Sequence, residues 1–172
     1  MLLTAAALAT GRIRLGTMIT PVARRRVSKL AREVTTLDRL TGGRMILGVG
    51  LGAPFDEGLF ALNELWSGEP VTFHGEHVVV DDVAFAPVPV QRPRVPIWVG
   101  GNWPAKRPMR RAARWDGAVP IRQAQGLDPD GNREPPEPDP AEAGATWWQE
   151  CRWTTELERA KPMFERVQAG PL

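Results

Sequence analysis

Three glycines recur on one face of a short β-rich run, and that spacing lets a flat ligand lie against bare backbone. The run is Arg44-Met45-Ile46-Leu47-Gly48-Val49-Gly50-Leu51-Gly52. Alternate side chains of a strand point to opposite faces. Met45, Leu47, Val49 and Leu51 form an apolar wall, whereas the face of Ile46, Gly48, Gly50 and Gly52 loses its side chains towards the C-terminal end. Glycine within a strand marks the close approach of a ligand or of another backbone. Parallel α/β folds bind their ligands at the C-terminal ends of the strands. A tight barrel interior or a bulge would use the same glycines, so packing is the competing reading.

A second constellation is Pro96-Ile97-Trp98-Val99-Gly100-Gly101-Asn102, followed by a helix that opens near Pro104 and carries Lys106 and Arg107. A strand, a glycine turn and a helix start cradle a phosphate. The glycines admit the anion, and the first helical N–H groups and the dipole favour its charge. A plain turn has the same sequence. Asn102 is also a good N-cap. Thr17, Met18, Ile19 and Thr20 end another strand on the same expected side. A threonine there serves either a ligand or the cap of the next helix. His74 and His77 flank an expected turn without a third ligand at a recognisable spacing, which favours exposed hairpin histidines over a metal site. Cys151 has no evident base beside it, and no Gly-x-Ser-x-Gly motif is present, so nucleophilic catalysis lacks support. Arg24-Arg25-Arg26 and the arginines of 107–114 are read as solvated or ion-paired faces.

These groups need elements to hold them. Residues 2–9 are rich in Ala and Leu, both strong helix formers. Residues 12–20 alternate as a strand. From Val27, apolar residues at 30, 31, 34, 37 and 40 recur at helical spacing, and Thr41-Gly42-Gly43 supplies the stop. The glycine strand follows, so strand, helix and strand form a βαβ unit with parallel strands. A helix over 57–66 comes next. A hairpin of 71–74 and 77–80 is expected to turn at Gly75-Glu76 in type II′ geometry. Residues 81–96 are rich in Val and Pro and are expected to lie extended over the surface. Strands are expected at 96–101 and 118–121 around a helix over 104–114. Residues 122–142 read as a linker. A strand over 144–148 and a helix over 155–168 complete the series. Trp98, Trp115, Trp147 and Trp148 adjoin or lie in these strands and are expected mostly in the core.

The chain has 172 residues and a net charge of only +2. It is long enough for a single domain over 1–172 and carries no global basic field for nucleic acid. The single cysteine forms no internal disulfide and fits a reducing, cytoplasmic setting. No apolar run approaches the roughly 18 residues of a membrane span. Residues 1–9 lack the basic n-region of a signal peptide.

Several stretches carry a resemblance: Arg12 to Pro21, Lys29 to Arg44, Leu47 to Gly52, Leu65 to Val71, Pro93 to Gly101, Arg111 to Gly117 and Ala143 to Trp148. In this order they resemble the bacterial luciferase-like flavin- or deazaflavin-dependent oxidoreductases. The resemblance implies an α/β fold of the (β/α)8 TIM-barrel type that uses FMN or a deazaflavin coenzyme of the F420 type on a small-molecule substrate. It implies that Thr17, Met18 and Thr20 lie against the cofactor ring, where the family often has a non-proline cis peptide. It implies that the Gly100-Gly101 loop holds the phosphate; Asn102 beside that loop and the face of Gly48, Gly50 and Gly52, both read from their spacing, complete the expected cofactor site. The chemistry belongs to the cofactor, so no acid–base pair of the protein is required.

A complete barrel of this kind takes about 250 residues. The resemblance implies that this chain starts within the second βα unit, is shortened between Phe55 and Gly58, and lacks another unit between Gly126 and Ala143. About five parallel strands plus a small hairpin are expected, giving an incomplete barrel whose open strand edges are an association hazard and a route to homo-oligomers. Two functions follow: a reduced oxidoreductase that transfers hydride or activates oxygen, or a non-catalytic remnant that binds cofactor or associates. A phosphate- or nucleic-acid-binding module built on the arginine helix is a third.

Overall fold

A βαβ unit buries its helix against both of its strands, and that unit sets the geometry of this fold. The computed structural model describes residues 2–50, 55–102 and 105–121. All of these lie within one compact unit, residues 1–124. Helix α1 spans Leu2–Ala9 and α2 spans Val27–Leu40. The buried face of α2 carries Val27, Leu30, Ala31, Val34, Thr35 and Asp38, the i, i+3, i+4, i+7 stripe of an amphipathic helix. Gly42 and Gly43 then take φ of +63° and +87°, a region that favours glycine, and the Gly43 N–H donates to the Asp38 carbonyl at 2.9 Å. The helix stops where the glycines predict.

Five strands make one parallel sheet: β1 (Leu15–Gly16), β2 (Thr20–Pro21), β3 (Met45–Gly50), β6 (Ile97–Asn102) and β7 (Gly117–Ile121). The spatial order is β1, β3, β6, β7, and β2 also pairs with β3. Every residue of β3 is buried. Met45, Leu47 and Val49 join the core with α2 and with α3 (Phe55–Leu65). The architecture is an incomplete barrel with helices on its outer side. The expected strand 144–148 and helix 155–168 lie outside the described residues.

The expected strand 12–20 is instead two short pieces. Leu15 pairs with Met45 and Thr20 with Val49. Five steps on the first strand therefore match four on β3, an excess of one residue that makes a bulge. The Met18–Ile19 peptide inside it is cis.

The hairpin also differs. Strands β4 (Pro70–His74) and β5 (Val79–Ala84) pair antiparallel, with His74 opposite Val79. The turn is therefore the four residues 75–78, closed by Gly75 N–H to Val78 carbonyl at 2.9 Å. Glu57 causes this: its Oε2 accepts the amides of His77 at 2.9 Å and Val78 at 3.2 Å, holding the tip against α3.

Residues 85–96 are not merely a surface strap. Phe85 and Val95 are fully buried, and the segment is pinned by Asp38, whose carboxylate accepts the amides of Val90 and Gln91 and the Gln91 side chain. The Arg44 guanidinium donates to carbonyls of Ala7, Thr10, Ile13 and Thr41, and so ties the end of α1 to the start of β3. Trp66 is fully buried, whereas Trp98 and Trp115 are only partly so. Trp147 and Trp148 lie outside the described residues.

Candidate functional site at the C-terminal ends of the strands

Parallel register brings the predicted site residues to one end of the sheet. Thr20 and Pro21 pair with Val49 and Gly50, and Val49 pairs with Val99. Thr17, Met18, Thr20, Gly48, Gly50, Gly100, Gly101 and Asn102 therefore cluster at the C-terminal ends of β2, β3 and β6. Gly52 lies outside the described residues.

Within that cluster the bare face of β3 is covered by the protein itself. A Cβ on Gly48 would lie 2.0 Å from the Thr17 carbonyl oxygen, and one on Gly50 would lie 2.7 Å from Ile19 Cγ2. Both glycines are buried. The expected open concavity over Gly48 and Gly50 is thus replaced by close packing, because the extra residue of the bulge needs that space. The bulge presents its own surface in exchange: Met18 is 45% exposed, although a large hydrophobic residue. The Thr17 hydroxyl donates to the Gly48 carbonyl at 2.9 Å and accepts from the Thr20 hydroxyl at 3.0 Å. It neither caps a helix nor stands free, but fastens the bulge to β3.

The two glycines of β6 face opposite ways. A Cβ on Gly100 would meet Ile19 Cδ1 at 2.5 Å, and one on Gly101 would meet Pro108 Cβ at 2.2 Å. Gly100 lies under Ile19 of the bulge, and Gly101 makes room for helix α4 (Lys106–Ala112). Asn102 is the last residue of β6 and exposed. Its carbonyl accepts the Ala105 N–H at 3.1 Å. Ala105, not Asn102, is the N-cap, and no side chain caps α4. Lys106 and Arg107 are exposed beside those uncapped amides.

The histidines take separate roles. His74 is exposed and pairs with Asp81. His77 Nδ1 lies 3.5 Å from Glu57 Oε1, and Glu57, Glu76 and His77 bring one ligand atom each within 4.8 Å. Glu57 comes from α3, which the local spacing of the histidines cannot reveal. The hydrogen bond from the His77 backbone lowers the Glu57 pKa below the ordinary carboxylate range, opposed by partial desolvation and helped by the His77 ring and the Val78 amide. Asp56, Glu57, Phe60, Phe73, Arg114 and Trp115 line a hollow of about 330 Å³ beside this tip. Trp115 is expected in the core and Arg114 on a solvated face, and the other four do not stand out in the sequence, because the six meet only where α3, β4 and the end of α4 come together.

The exposed residues of the cluster fit a flat ring bearing a phosphate. Met18 offers an apolar contact, Gly100 is partly exposed beneath Ile19, and the uncapped start of α4 offers amides beside two cations. On the side that a Cβ would take, protein atoms fill the space at Gly48, Gly50, Gly100 and Gly101 alike.

Comparison with known proteins agrees with this architecture. The family model described as luciferase-like monooxygenase matches residues 1–119. An F420-dependent glucose-6-phosphate dehydrogenase of Microbacterium testaceum (strain StLB037) is 32% identical over 116 residues, which are 56% of this chain and 34% of that protein. An FMNH(2)-dependent dimethylsulfone monooxygenase of Pseudomonas putida is 29% identical over 106 residues, 49% of this chain and 29% of that one. The crystal structure of monooxygenase RslO1 from Streptomyces bottropensis superposes with a TM-score of 0.53 and 31% identity, over 57% of this chain and 35% of the other. The chain spans about a third of the length of the curated relatives it matches. The parallel half-barrel, the position of its C-terminal cluster and the match over residues 1–119 give one conclusion: this chain belongs to the luciferase-like monooxygenase family.

Proposed function

We propose that the chain serves a flavin-type oxidoreductase and binds FMN or a deazaflavin coenzyme of the F420 type at the C-terminal ends of β2, β3 and β6. The observation that carries this is the bulge at Thr17–Ile19, seated on Gly48 and Gly50, which lays Ile19 over Gly100 and leaves Met18 exposed. Relatives named for FMNH(2) and for F420 support both cofactors equally. When bound, such a cofactor supplies hydride transfer or oxygen activation towards a small organic substrate.

The chain's own contribution is to place and hold. Thr17 and Thr20, bonded to each other and to β3, fix the bulge. Met18 and Ile19 offer the apolar surface for the ring. Gly100, Asn102 and the start of α4 accept the phosphate, with Lys106 and Arg107 adding positive charge. No helix among the described residues is long and apolar enough to cross a membrane.

Fluorescence titration of the chain with FMN and with riboflavin tests the phosphate arm. Gly101 is unsuitable for the test, since a side chain there would strike Pro108. The paired substitution Lys106→Ala and Arg107→Ala alters two exposed side chains. It is expected to lower FMN affinity by about 1–2 kcal/mol, the scale of charge-assisted hydrogen bonds, and to leave riboflavin unchanged. Equal binding of FMN and riboflavin by the parent would reduce the Gly100–Asn102 loop to a turn. Binding of neither cofactor would favour a non-catalytic remnant.

A further inference from the structure

Charge runs in blocks along this chain. Residues 45–91 hold seven Asp and Glu and no Lys or Arg, whereas residues 1–44 hold nine Lys and Arg and two Asp and Glu. Blocks of opposite sign on one chain make its surface complementary to a second copy of itself.

The acidic block builds a groove between α3 and β4. Glu57, Phe60 and Glu64 lie at i, i+3 and i+7, so they share one face of α3. Phe60 is 49% exposed, and its ring stands 5.1 Å from that of Phe73 on β4. The same two rings border the hollow at Trp115 and a second hollow lined by Glu64 and Glu69. At the first end Asp56 is held by Arg111 and Arg114. At the second end Glu64 and Glu69 make no ion pair among the described residues. An exposed aromatic pair flanked by unneutralised carboxylates needs an apolar group carried between cations.

The sequence holds such a segment in Arg12-Ile13-Arg14. All three residues are exposed, Ile13 by 52%, and neither arginine has an ion pair among the described residues. The segment leads into β1, the outer strand of the sheet. Of the other basic runs, Arg24-Arg25-Arg26 has no apolar residue within it and its Arg25 is committed to Glu33. In 106–114, Arg111 and Arg114 are committed to Asp56, and Lys106 and Arg107 stand at the proposed phosphate site. Residues 122–172 hold ten Asp and Glu against six Lys and Arg, the same sign as the groove.

We propose that the α3–β4 groove receives the Arg12–Ile13–Arg14 segment of a second copy of this chain. Ile13 covers the Phe60–Phe73 pair, and the two guanidinium groups meet Glu64 and Glu69. Reciprocal contacts of this kind close a two-fold dimer.

Sedimentation equilibrium of the full chain tests this. A dimer is expected at low salt, with a dissociation constant that rises about tenfold or more between about 50 and 500 mM salt, because exposed charges are screened. The variant Glu64→Lys with Glu69→Lys and the variant Arg12→Glu with Arg14→Glu are each expected to be monomeric. Mixed in equal amounts, they are expected to form a one-to-one dimer. Ile13→Ser, a change at an exposed site, is expected to weaken association about tenfold, the scale of one apolar side chain leaving an interface. A parent that stays monomeric at low salt would overturn the proposal. So would a dimer that neither charge reversal disturbs, or reversed variants that fail to pair when mixed.

Discussion

Gly48→Ala is expected to destabilise the fold by about 3 kcal/mol, at the upper end of the usual cost of overpacking, and to abolish cofactor binding. The new Cβ would lie 2.0 Å from the Thr17 carbonyl oxygen and 3.1 Å from its carbon. Both are backbone atoms, so no side chain can swing aside. β3 has paired strands on both sides, and the strand itself cannot withdraw. The bulge has to lift, which breaks the bond from the Thr17 hydroxyl to the Gly48 carbonyl and moves Met18. Gly11→Ala is the control. Nothing lies within 4 Å of a Cβ at Gly11, and a change below about 0.5 kcal/mol is expected there. Denaturant unfolding and FMN titration of both variants check this. Parent-like behaviour of Gly48→Ala would show that the bulge is not seated on β3.

Asp38→Ala is expected to cost about 3 kcal/mol, as it removes a buried carboxylate that accepts three partly buried hydrogen bonds. Asp38 is fully buried. Its Oδ2 accepts the Val90 amide at 2.7 Å and the Gln91 amide at 3.1 Å, and its Oδ1 accepts Gln91 Nε2 at 2.7 Å. Gln91 Nε2 retains the Met45 carbonyl at 2.7 Å, so the two backbone amides bear most of the loss. Asp38→Asn keeps one acceptor oxygen but turns an NH2 towards donors, and an intermediate cost is expected. Hydrogen exchange at Val90 and Gln91 should accelerate more than exchange in the centre of β3. Unchanged exchange at those amides would remove Asp38 as the anchor of residues 85–91.

What the sequence discloses depends on whether neighbours in the chain are neighbours in space. The stripe of α2 is a local period, and so are the two faces of β3, Met45, Leu47 and Val49 in the core and Gly48 and Gly50 under the bulge; the structure follows both. The stop at Gly42-Gly43 is local too. The split of residues 12–20 is not, because it depends on the Thr17 carbonyl finding an empty position at Gly48, 31 residues away. The three-glycine face was legible as a close approach, but the approaching atoms at Gly48 and Gly50 are the chain's own. The turn at 75–78 differs from type II′ because Glu57 reaches it from another helix. Asp38 was open to a closer reading: it falls eleven residues after Val27, on the buried stripe, where a carboxylate requires partners.

The central claim is that the cofactor rests on the Met18 surface. Carbon-13 methyl spectra of the methionines, recorded while FMN is added, test it most directly. Met18 is 45% exposed and Met45 is 1% exposed, so one methyl group reports on the proposed site and the other on the core. The account predicts a saturable ring-current shift of the Met18 methyl with Met45 unmoved. FMN binding that leaves the Met18 methyl where it was would contradict it.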